Sequence, residues 1–117
     1  AAQALGLREE TVLKTLVFQA DNHAFLLALM GADGTVSEKK LAKVSSHKRV
    51  RPAAPRDAQR ITGYKVGGIS PLGIVRPLPV VLDRAPALLP QVVINAGTRG
   101  TMVRLDTDDL IRLTGAT

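Results

Sequence analysis

A mixed α+β domain built on a single core is the fold class this chain predicts. Three observations carry that reading. Strand-like and helix-like stretches alternate irregularly, without repeating βαβ units. Apolar residues make up 45% of 117 residues, enough for one core but near the small end of what folds alone. Glycines and prolines punctuate the chain between the stretches, and there is no internal repeat or low-complexity tract. Residues 1–117 therefore read as one domain.

Taken in order, Ala1–Gly6 reads as the last turns of a helix that closes at Gly6. Val12–Ala20 and Ala24–Met30 are apolar and β-branched around the short turn Asp21-Asn22-His23, which predicts a hairpin. Gly31-Ala32-Asp33-Gly34 turns again, and Ser37 can cap a helix with Glu38 in its first turn, running through Leu41 and Val44. Val50 lies in a short strand. Pro55 suits the first helical position of a second helix ending at Gly63. Val80–Leu82 and Gln91–Asn95 predict strands bridged by a helical turn at Ala85–Leu89. Ala96-Gly97-Thr98-Arg99-Gly100 is a tight loop before a strand from Thr101 to Leu105. Asp106 or Thr107 caps a final helix, Asp108 and Asp109 complement its dipole, and Gly115 closes it.

Composition excludes several classes of function. No apolar run approaches the ~18 residues that span a bilayer, and no basic n-region precedes an apolar h-region. Zero cysteines exclude disulfide stapling, a cysteine nucleophile and thiolate metal sites, and fit the cytoplasm as the expected location. His23 and His47 form no metal-binding pattern, so neither metal nor cofactor is expected. Ser45, Ser46 and Ser70 lack a nucleophile elbow and an assignable His/Asp partner. Sixteen Lys and Arg against ten Asp and Glu give +6, with the cations clustered at Lys39, Lys40, Lys43, Lys48, Arg49, Arg51, Arg56, Arg60 and Lys65. Such a cluster is a solvated face or a footprint for a polyanion. With aromatics at 3%, any RNA would be held chiefly through its phosphates.

The segment Thr62-Gly63-Tyr64-Lys65-Val66-Gly67-Gly68-Ile69-Ser70-Pro71-Leu72-Gly73 is the most informative stretch. Glycine lets a ligand approach main-chain N–H groups, and Pro71 stiffens the backbone beside them. The spacing matches neither G-x-G-x-x-G nor G-x-x-x-x-G-K-[ST]. The residues alone leave two readings open, a cradle of donors for an oxyanion or a strand connection whose glycines serve geometry.

Five segments in order resolve that choice by resemblance. They are Lys14-Thr15-Leu16-Val17-Phe18; Leu41-Ala42-Lys43; Thr62-Gly63-Tyr64 with Gly67-Gly68-Ile69-Ser70-Pro71-Leu72-Gly73; Leu78-Pro79-Val80-Val81-Leu82-Asp83; and Asn95-Ala96-Gly97-Thr98-Arg99-Gly100. Together they resemble the YbaK/ProX family of aminoacyl-tRNA deacylases, relatives of the editing domain inserted in bacterial prolyl-tRNA synthetases. The resemblance covers the whole chain and implies a curved, barrel-like mixed sheet flanked by short helices. It also implies that a strand and the start of the first helix precede Ala1.

The family implies trans-editing of mischarged aminoacyl-tRNA, tRNA-Pro carrying cysteine or another small amino acid, with prolyl-tRNA synthetase as a further partner. Lys14 would line the substrate pocket as a compact cation, where its residue type alone suggests a solvent-facing strand lysine. Gly67, Gly68, Ile69, Ser70 and Pro71 would supply the oxyanion donors. Asn95, Ala96 and Gly97 would form the opposite pocket wall, with Met102 beside them setting the amino acid accepted. Lys39, Lys40, Lys43, Lys48 and Arg49 would bind tRNA. The chain departs from the family pattern at Ser45-Ser46-His47 and at Met102, which bears on amino-acid specificity. Two other readings fit the residues: a non-catalytic tRNA- or synthetase-binding module of the same fold, and a hydrolase of free amino-acid or nucleotide esters.

Overall fold

The computed structural model describes residues 11–98 and 100–117. The helix end read at Ala1–Gly6 lies outside them. The hairpin forms as expected, from β1 (Leu13–Ala20) and β2 (Phe25–Gly31), antiparallel from Leu13↔Gly31 to Gln19↔Phe25. Its turn closes through Asn22, whose Oδ1 accepts the Ala24 N–H at 3.1 Å, and His23 adopts φ 67°.

Helix α1 (Glu38–Val44) is capped by Ser37, whose hydroxyl accepts the Lys40 N–H. Then β3 (Val50–Pro52) pairs with the end of β1, and α2 (Pro55–Thr62) begins on its proline and ends on Gly63 in the left-handed region. After the glycine-rich segment, β4 (Val80–Leu82) joins β2 in parallel, giving a four-stranded sheet in the order β3-β1-β2-β4. Asp83 caps the short α3 (Arg84–Ala87). Strands β5 (Gln91–Asn95) and β6 (Met102–Asp106) form a separate antiparallel pair.

Helix α4 (Thr107–Thr114) closes at Gly115. Asp106 holds its N-cap position by backbone alone, because its carboxylate accepts from Gln91 Nε2 at 3.0 Å. Asp109 pairs with Arg112 one turn on, so this acidic cluster serves the helix.

The central hairpin is buried on both faces, and strand alternation sorts its side chains between two clusters. Leu13, Val17, Leu27 and Leu29 pack with Ala58 of α2, Leu110 of α4, Ile69, Val92 and Ile94. Phe18, Ala20, Leu26 and Ala28 pack on the other face with Leu41 and Ala42 of α1 and with Val50. The smaller sheet is tied to β1 by one parallel bridge, Val12↔Val93. The mixed sheet thus curves without closing into a barrel among the described residues. Between that bridge and the Phe18↔Pro52 pair, the edge of β1 away from β2 has no strand beside it. That gap positions the site.

Candidate active site

A cleft of about 640 Å³ fills the gap along β1. Its wall runs from Val12 to Phe18, faced by Pro52, Ala53, Pro55 and Ala58 at one end and by Gly67, Asn95, Gly100 and Met102 at the other. Three regions far apart in the chain therefore meet across one unpaired strand edge.

Lys14 stands in the cleft wall, half-buried, and its ammonium donates to the carbonyl of Gly34 in the turn after β2. The bond reflects the local register: Lys14 is opposite Met30, one residue before β2 runs out at Gly31 into that turn. Thr15, next along β1, has a buried hydroxyl oxygen with no partner among the described residues.

The glycine segment is shaped from α2 outward. Thr62 is almost fully buried; its hydroxyl donates to the Ala58 carbonyl at 2.7 Å and accepts the Tyr64 N–H. Gly63 at φ 82° reverses the chain. Gln59 Oε1 accepts the Val66 N–H at 3.1 Å. The Gly68 N–H is already bonded to the Lys65 carbonyl at 2.9 Å, and the Ser70 hydroxyl accepts from Leu72 N–H. Ile69 is driven into the core, which pins the segment. Among the described residues the N–H groups of Gly67 and Ile69 have no acceptor, and both residues line the cleft. Gly68, Ser70 and Pro71 are buried behind them and hold the turn.

Asn95 joins the two glycine loops. Its Nδ2 donates to the Gly67 carbonyl at 3.1 Å, and its Oδ1 accepts the Gly97 N–H at 2.9 Å. Both ends of the amide are thus committed to holding backbone, although the residue also lines the cleft. Gly97 itself lies beneath the Tyr64 ring: a Cβ there would sit 2.8 Å from Tyr64 Cε1. The Tyr64 hydroxyl donates to the Leu72 carbonyl at 2.5 Å. Tyr64 is thus a strut between the segment after α2 and the loop after β5. Its signal in the sequence was its rarity, as the only tyrosine of a chain poor in aromatics. Met102 packs on Val12 and Val93 and reaches the cleft, whereas Ala96 and Gly97 are not among its lining residues.

The structure thus brings together Lys14, Gly67, Ile69, Asn95 and Met102. It does not bring Lys39, Lys40, Lys43, Lys48 or Arg49 into the cleft. The first three lie exposed on α1, which covers the Phe18 face of the sheet. Lys48 and Arg49 are exposed beside β3, where Arg49 borders a second hollow of about 500 Å³ with Gln19, Asp21, His23, Glu38 and Arg51. His47 Nδ1 stands 3.9 Å from Asp21, and no three His, Cys, Asp or Glu side chains gather among the described residues. No helix among them is long and apolar enough to cross a membrane.

A cleft with free backbone donors, one cation and one polar clamp defines a domain that positions a small acyl substrate by its main chain. The aminoacyl-tRNA editing domain family matches residues 1–113, and the chain belongs to that family. It is 30% identical over 113 residues to EbsC of Enterococcus faecalis, described as a candidate Cys-tRNA(Pro)/Cys-tRNA(Cys) deacylase, covering 97% of this chain and 69% of that one. It is 33% identical over 99 residues to a proline–tRNA ligase of Xanthomonas oryzae pv. oryzae, covering 85% of this chain but only 17% of the ligase. A solved structure of a candidate trans-editing enzyme for prolyl-tRNA synthetase superimposes with TM-score 0.90 at 30% identity, over 99% of this chain and 73% of that one. The chain is accordingly an editing domain acting on mischarged aminoacyl-tRNA.

Proposed function

We propose that this domain hydrolyses in trans the ester of a mischarged tRNA, tRNA-Pro bearing cysteine or another small amino acid. The observation that carries the reading is the pair of unpartnered N–H groups, Gly67 and Ile69, facing a cleft that also holds Lys14. An aminoacyl ester is already activated, and its hydrolysis passes through a tetrahedral oxyanion. Preorganised donors act on that charge, and losing one such donor typically costs ~10²–10³ in rate. Water adds to the carbonyl carbon, the bond to the ribose oxygen breaks, and that oxygen takes a proton from solvent. Free amino acid and the tRNA hydroxyl result. With a cysteinyl ester the substrate's own thiol can attack instead and leave as a thiolactone.

In this reading Lys14 anchors the nucleotide end or the ester oxygens as a point charge. Asn95 keeps Gly67 oriented through its carbonyl. Lys39, Lys40, Lys43, Lys48 and Arg49 steer and dock the tRNA from outside the cleft. The likeness to proline–tRNA ligases favours prolyl-tRNA synthetase as the enzyme whose errors are cleared, in the cytoplasm.

The test is a panel of Cys-, Ala- and Ser-tRNA-Pro incubated with the protein, beside the same esters on a minimal alcohol. Turnover that needs the tRNA body supports trans-editing, and equal turnover of the minimal esters supports a simple esterase. No acceleration with any charged tRNA, together with salt-dependent tRNA binding, supports a binding module of the same fold. An acyl group trapped on a protein side chain would overturn the mechanism.

A further inference from the structure

The cleft is longer than a small aminoacyl group needs. Six strand steps separate Val12 from Phe18, so it runs for ~20 Å at ~3.3 Å per residue. Its volume falls in the range that houses drug-sized ligands. Its chemistry is also divided. Two residues beyond the Val12↔Val93 bridge stand Lys14 and Asn95, one on each strand, and Asn95 holds Gly67. The polar groups thus gather at that end. The other end is bounded by Leu16, Phe18, Pro52, Ala53, Pro55 and Ala58, none of which carries a polar side-chain atom.

We infer that this apolar end is the subsite for the adenine base of the substrate's terminal adenosine. The inference rests on the aminoacyl-ester reading of the polar end. An ester on a 3′-terminal adenosine carries its base within one sugar of the reacting carbonyl, so a continuous cleft that holds one must receive the other. Adenine presents two broad apolar faces and a polar rim. Pro52 and Pro55, both exposed, and half-buried Leu16 and Ala53 offer flat aliphatic surface to a face. The open edge of β1, where the Thr15 backbone points away from β2, offers N–H and C=O groups to the rim. No aromatic ring is available for stacking here: Phe18 is 2% exposed, and Tyr64 is committed to Gly97 and Leu72. Aliphatic packing takes the place of stacking, and the chain's poverty in aromatics is consistent with that.

The test uses the aminoacyl group that the tRNA panel finds best, esterified once to adenosine and once to methanol. Ala53→Leu fills the apolar end, and Pro55→Ser removes a flat surface at a position where serine still begins a helix well. Both variants should raise KM for the adenosine ester about tenfold, at the low end of what a stacked base loses, and leave the methyl ester within about twofold. In parallel, adenosine alone is titrated into the isotope-labelled protein, and amide shifts are expected at Leu16, Ala53 and Ala58. Equal losses on both esters, or adenosine shifts confined to other residues, would overturn the subsite. Failure of the wild type to cleave any ester would count against the deacylase reading alone. Adenosine shifts at these three residues would then still uphold the subsite.

Discussion

Replacing Gly97 by alanine isolates the contact that joins the two glycine loops. Gly97 has φ 98°, and an added Cβ would meet Tyr64 Cε1 at 2.8 Å. Left-handed backbone costs a non-glycine residue about 1–2 kcal/mol. Carbon atoms rest ~3.5–4.0 Å apart, so the ring must retreat by almost an ångström. That retreat pulls the hydroxyl from the Leu72 carbonyl, now 2.5 Å away, and one such bond contributes about 0.5–1.5 kcal/mol. The sum is about 2–3 kcal/mol, and at about 4 °C per kcal/mol for a domain of this size Tm should fall by ~8–12 °C. Thermal melting followed by circular dichroism reads this directly. Combining Gly97→Ala with Tyr64→Leu should return the alanine's own cost to the backbone share, because the ring is gone, so the two changes should be non-additive. A Gly97→Ala protein melting within about 2 °C of wild type, or a strictly additive pair, would show that Tyr64 is no strut.

Lys14→Ala should lower kcat/KM on charged tRNA by at least tenfold, and Lys14→Arg should restore little, because a planar guanidinium is a poor substitute for a compact ammonium; wild-type kinetics in Lys14→Ala would place the lysine outside the chemistry. Gly67→Val should abolish deacylation with tRNA affinity held within a few-fold, since it burdens one of the free donors at φ 91°; Gly68→Val, whose N–H is already spent on Lys65, should cost less in kcat than Gly67→Val, and the reverse order in single-turnover rates would relocate the donors. Neutralising Lys40 and Lys43 together should flatten the slope of log K against log salt by up to about 0.7–0.9 per phosphate lost, and spare hydrolysis at saturating tRNA; an unchanged slope in filter-binding titrations would put the footprint on another face.

Much of this protein is local in origin, and local features are legible in a sequence. The hairpin about Asp21-Asn22-His23, the Ser37 cap, Pro55 at a helix start and Gly63 and Gly115 at helix ends all form where residue chemistry places them. Each depends on φ preference or on a hydrogen bond within a few residues. The ordered motifs also identified the family, and Lys14, Gly67, Ile69, Asn95 and Met102 do meet in one cleft. Other matters depend on contacts that span the chain, and these no short pattern encodes. The cleft exists because β3 and β5 leave part of one edge of β1 unpaired, a product of strand order. Tertiary packing makes Gly97 a seat for Tyr64 and turns the Asn95 amide into a clamp on Gly67. It also selects which glycine-loop N–H groups stay free: Gly68 is satisfied within its own turn, while Gly67 and Ile69 face the gap. Sequence determined which backbone shapes were affordable and which side chains were on hand. Only the fold decided which donors remained unsatisfied, because that depends on where every competing acceptor finally lies.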